Sequence, residues 1–136
     1  MSAQPLRRQT LVLVTDQFQC ERIIKAGRAI AGITHTQLRV FHICAEGCTS
    51  DPAALQYLYN SAKENGSVLE IAYNSDFMGA ITETLESTNT VNVITGQPGD
   101  EDSVLYTLWN RFPGIKFFTV DADGRLDMVS TVRVAE

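Results

Sequence analysis

The side chains best suited to chemistry in this 136-residue chain are three cysteines, Cys20, Cys44 and Cys48, and two histidines, His35 and His42. Cys20 opens an amphipathic segment, with Arg22 two residues on. A helix N-terminus and a nearby guanidinium both favour thiolate, so Cys20 is a candidate reactive thiol. The plainer alternative is a half-buried residue at a helix start, and it is favoured because no histidine or second thiol adjoins Cys20 in sequence. Cys44 and Cys48 form H-x-C-x3-C with His42. That is not a standard zinc spacing, although strand alternation puts His42 and Cys44 on one face. A metal site or a Cys44–Cys48 disulfide stands against a core histidine and cysteine with one loop cysteine, and the second reading is favoured. An odd, small number of cysteines argues for thiols over a disulfide framework. If the three met at one sheet edge, they would suit a redox or metal sensor.

Other patterns carry less chemistry. Asp121-Ala-Asp-Gly124 starts like a calcium loop but lacks the later ligands, so it reads as a turn. His35 suits a helix C-terminus, where a cation is favourable. Arg22, Lys25 and Arg28 read as a solvated helix face. No Ser-His-Asp order, paired-carboxylate motif or complete phosphate loop is present. No catalytic residue is assigned, and binding is favoured over turnover.

The elements that position these residues follow from hydropathy. Short β-branched runs open at Leu11, Leu38, Val68, Val91 and Ile115. Between them lie stretches with apolar residues at helical spacing. Ile23, Ile24, Ala26, Gly27, Ile30 and Ala31 form one stripe, and Leu55, Leu58, Tyr59 and Ala62 a second. Phe77, Met78, Ile81 and Leu85 form a third, and Val104, Leu105, Leu108, Trp109 and Phe112 a fourth. Start signals are Asp51-Pro52, Ser75-Asp76 and the acidic run Asp100-Glu-Asp102; stop signals are Asn65-Gly66 and Pro113-Gly114.

This alternation predicts an α/β fold, a three-layer doubly wound parallel sheet of five strands in the order 3-2-1-4-5. Its core spans about residues 9–121, within one domain covering 1–136. Residues 122–136 are expected to add a C-terminal β-hairpin or extra edge strand. The wholly apolar run at 11–14 predicts a central strand, and the mixed runs at 68 and 115 predict strands nearer an edge. Ligands of such sheets sit at the carboxyl ends of the strands where the order reverses, here between strands 1 and 4.

Bulk properties exclude some classes. A hydrophobic fraction of 44% and a charged fraction of 20% describe a globular chain. A net charge of −5 disfavours non-specific nucleic-acid binding and anionic membranes. With no secretory pattern and no apolar stretch of spanning length, the sequence predicts a cytoplasmic protein.

Three stretches resemble the universal stress proteins. Val12-Leu-Val-Thr-Asp16 resembles their first strand, Leu38-Arg-Val-Phe-His-Ile43 their second, and Val91-Asn-Val-Ile-Thr-Gly96 followed by Gly99 their fourth strand and phosphate loop. Residues 12–24 are also similar to the stress-protein-like domain of bacterial potassium sensor kinases. The resemblance implies a binding and regulatory module in stress response or signalling, which dimerises through strand 5 and contacts a regulatory protein. It also implies an ATP or AMP site built from Thr15, Asp16, Ile43, Gly96, Gly99 and Ser103. The family loop G-x2-G-x9-G-[ST] is met only at its opening, and Trp109-Asn110 stands where its closing pair would be. Asp100, Glu101 and Asp102 would repel a polyphosphate there. Tight ATP binding is therefore not expected, no cofactor is required, and an adenine-nucleotide binder with at most slow hydrolysis is the alternative.

Overall fold

A computed structural model describes residues 7–15, 17–44, 50–98 and 104–129. Its six-stranded sheet has the order β3-β2-β1-β4-β5-β6. The strands are β1 (Gln9–Leu13), β2 (Gln37–Cys44), β3 (Leu69–Tyr73), β4 (Thr90–Gly96), β5 (Lys116–Val120) and β6 (Leu126–Met128). The first five are parallel, and β6 runs antiparallel to β5. The helices are α1 (Glu21–Thr34), α2 (Pro52–Glu64), α3 (Phe77–Ser87) and α4 (Val104–Arg111). The expected doubly wound α/β architecture is present, with the extra strand at its C-terminal edge.

Alternate residues of β1 explain why it is central. Val12 points into a core that includes Ile23, Ile24, Val40, Leu58 and Ile94, and Leu11 into a second core with Phe41, Ile81, Val93, Leu108 and Phe117. Both are fully buried, which requires helices on both faces of the sheet. Helix α1 comes close to β1 at Gly27, where only a missing side chain leaves room for Val12.

The start signals act as side-chain caps. Asp51 accepts from the backbone N–H groups of Ala53 and Ala54, with Pro52 in the first turn of α2. Asp76 accepts from Gly79 N–H at the start of α3. The acidic run 100–102 expected to begin α4 lies outside the described residues.

The chain turns back after β5 as expected. Asp121 Oδ1 accepts from the backbone N–H groups of Asp123 and Arg125, and Gly124 takes a left-handed φ of 84°. This turn pairs Val120 with Leu126 and Phe118 with Met128. Strand β5 is thus enclosed by β4 and β6 and is not the edge on which strand-5 pairing would rely. The sequence places the mixed run of β5 near an edge with a return strand beyond it, and both are found. Among the described residues, no helix is long and apolar enough to cross a membrane.

Candidate functional site

A cleft of about 590 Å³ opens at the carboxyl ends of β1 and β4, where the strand order reverses. One wall is the end of β1 and its exit, Leu13, Val14 and Thr15; the opposite wall is Thr95, Gly96 and Gln97. Phe41 and Ile43 of β2 extend the floor, and Phe77, Val104 and Leu105 close the far side. The roof is the turn that leads into α1, with Gln17, Gln19, Cys20, Arg22 and Ile23.

Of the residues expected here, Thr15, Ile43, Gly96 and Cys20 line the cleft together. Asp16, Gly99, Ser103 and Cys48 lie outside the described residues. Gly96 is not demanded by packing: a Cβ there would meet Ile23 Cδ1 at 3.5 Å, an ordinary contact. The glycine leaves bare backbone facing the cleft, which suits close approach of a ligand.

Cys20 is a free thiol, buried, and its Sγ lies 3.4 Å from Thr15 Oγ1. It sits in a 3-10 turn, Phe18–Cys20, immediately before α1, as its position in sequence suggested. The expected guanidinium neighbour is otherwise engaged. Arg22 Nε donates to the backbone carbonyl of Asp121 at 2.7 Å, and Nη1 to that of Gln19 at 2.6 Å. Arg22 therefore ties the roof of the cleft to the loop after β5.

Cys44 does not join Cys20. It is buried and, contrary to the favoured reading of the sequence, disulfide-bonded; its Sγ also accepts from Ser50 Oγ at 3.3 Å. Sequence spacing alone left this pairing open. His42 shares the core side of β2, with Nδ1 3.0 Å from the Val14 carbonyl oxygen and Nε2 buried without a partner among the described residues. No cluster of three metal-ligating side chains occurs among the described residues.

The cleft's described lining contains one cation, Arg22, no carboxylate, and mainly aliphatic and aromatic surface. Beside its mouth, Phe18 and Tyr57 stack obliquely at 5.3 Å, and the Tyr57 hydroxyl donates to Glu21 Oε1 at 2.8 Å. That hydrogen bond to a carboxylate, with a smaller effect of burial, holds the Tyr57 phenol above its ordinary pKa. Phe77 and the Arg22 carbonyl contacts were not legible in the sequence as parts of the site. Phe77 looked like one member of a helix stripe, and the partner of Arg22 is 99 residues away. The arrangement can hold a compact, largely apolar molecule and orient it by a few polar groups. No protein-family model matches the chain, and no curated protein gives a significant match.

Proposed function

We infer that this chain is a binding and regulatory module of the universal stress type, serving stress response or signalling. A small ligand occupies the β1/β4 cleft and governs contact with a partner protein. The carrying observation is the cleft itself: it lies at the switch point, its volume suits a small organic molecule, and bare backbone at Gly96 faces inward. The polar pair inside it, Thr15 and Cys20, contains no general base, which favours binding over turnover.

A protein-free metabolite extract titrated into 15N-labelled protein should move the amide signals of Thr15, Ile43 and Gly96. An extract that moves none of them removes this reading. The reading includes a homodimer, with β6 rather than β5 as the pairing strand, since β6 covers β5. A chain that sediments as a monomer at high concentration rules that part out.

The second reading is an adenine-nucleotide binder, favoured by Ile43 and Gly96 lining one cleft. Calorimetric titration with ATP, AMP and cyclic AMP, with and without magnesium, separates the two. AMP is expected to bind at least as well as ATP, because Asp100, Glu101 and Asp102 follow β4 in the sequence. Absence of heat with every nucleotide eliminates the second reading.

A further inference from the structure

We propose that the opposite end of the sheet carries a second binding site, for a dianionic phosphate group. A groove of about 680 Å³ lies where the parallel strands begin, away from the cleft at their carboxyl ends. Arg7 and Arg8 reach it from the approach to β1, Arg28 from α1, and His35 from the end of α1, with Asn65 and Gly66 on the facing turn. Among the described residues, no aspartate or glutamate lines it. That is unexpected in a chain of net charge −5. Among the described residues the ion pairs are Lys25–Glu21 and Arg39–Glu70, so none of the three groove arginines has a carboxylate partner there.

The plain alternative is that these arginines only compensate the carbonyl ends of two helices. Arg8 does donate to the Thr34 carbonyl oxygen at 2.9 Å, and α1 and α2 both end beside the groove. Each helix end carries about half a negative charge. Two ends therefore offset about one of the three guanidinium charges, and about two remain. That excess matches a phosphate dianion better than a monocarboxylate. Arg28 spends only a long contact on Asn65, 3.4 Å to Oδ1. Since a guanidinium has five donors, most remain available for the forked pairing that phosphate oxygens accept.

A second, independent feature supports a ligand. Gly32 lines the groove from within α1, and a Cβ there would meet nothing within 4 Å. Glycine weakens a helix interior relative to alanine. No packing contact requires it, unlike Gly27 one helical face away. Gly66, with a left-handed φ of 83°, is also open to the groove. Bare backbone beside three arginines that have no carboxylate partner among the described residues admits a phosphate to close range.

The test is calorimetric titration with orthophosphate, glucose 6-phosphate and acetate at low ionic strength. Orthophosphate or glucose 6-phosphate should bind saturably, and acetate should not. Tighter binding of the sugar phosphate assigns an organic phosphomonoester, and equal binding assigns free phosphate. Arg28→Gln and Arg7→Gln should each weaken binding about tenfold, as expected for loss of a hydrogen-bonded charge. Arg111→Gln, on α4, should leave it unchanged. All three side chains are on the surface, so the thermal midpoint of each variant should match the parent. Absence of saturable phosphate binding, equal binding of acetate, or full binding in both groove variants overturns the proposal.

Discussion

Replacing Asn92 by alanine should lower stability by about 3 kcal/mol, through loss of buried hydrogen bonds and partial loss of packing. Asn92 is only 2% exposed, on the central strand β4. Its Nδ2 donates to Thr10 Oγ1 at 3.0 Å and to Thr34 Oγ1 at 3.1 Å. The hydroxyl protons then have one consistent arrangement. Thr34 donates to the Ile30 carbonyl oxygen at 2.7 Å, so at 3.1 Å it accepts from Thr36. Thr36, having used its proton, accepts from Thr10. Every donor in this cluster is satisfied, and it joins β1, β4 and the last turn of α1. Alanine removes both Asn92 donors and leaves the fully buried Thr10 hydroxyl, and the half-buried Thr34 hydroxyl, short of a partner. Urea unfolding measures the loss. Thr10→Val should cost less in the Asn92→Ala background than alone, because the shared bond has already gone. A loss below about 1 kcal/mol, or strict additivity, would show that the network contributes little.

The second large effect is expected at Gly27. A Cβ at this position would lie 2.2 Å from Val12 Cγ2 and 3.2 Å from Leu38 Cδ1. Val12 is fully buried on the central strand, and β-branching gives it few ways to turn aside. Helix α1 must then rise from the sheet. Gly27→Ala gains about 1 kcal/mol of helix propensity but should still destabilise by about 1–2 kcal/mol overall. Gly27→Val adds two more carbons to the same clash and returns part of the propensity gain. Its expected loss is about 3 kcal/mol or more. Gly32→Ala, in the same helix but open to solvent, should instead stabilise by about 0.5–1 kcal/mol. Chemical denaturation of the three variants reads the contrast directly. A Gly27→Val protein as stable as the parent would mean that α1 and β1 are not packed as described.

The βα rhythm was legible because each strand is a short β-branched run and each helix has its own apolar stripe. Thr15 and Gly96 could be placed in the cleft from topology, since ligands collect where strand order reverses, whereas Ile43 was indicated by the family resemblance. Position after a strand did not reveal which thiols meet. Cys20 enters the cleft through the 3-10 turn, whereas Cys44 does not line it and is disulfide-bonded. The basic groove was illegible for a different reason. Arg28 reads as part of a solvated helix face and His35 as a helix end, and Arg7 and Arg8 stand apart from both in the sequence. Only the parallel sheet brings these four to one place. The return strand beyond β5 was legible too, from the turn signal Asp121–Gly124 and the strand character after it, and Leu126–Met128 pairs with β5 as that predicts.

The tie between Thr10 and Asn92 spans 82 residues, which bears on how the chain is made. During synthesis β1 finds β2 soon after it emerges, with Gln9 opposite Gln37, and β3 can add beyond β2. The other flank of β1 must wait until β4 has been translated. In that interval a nascent chain displays an apolar strand with unpaired backbone groups, next to a polar cluster that lacks its asparagine. Neighbouring nascent chains on one message would offer each other the missing strand, so misassembly by strand exchange is the failure this topology is built to risk.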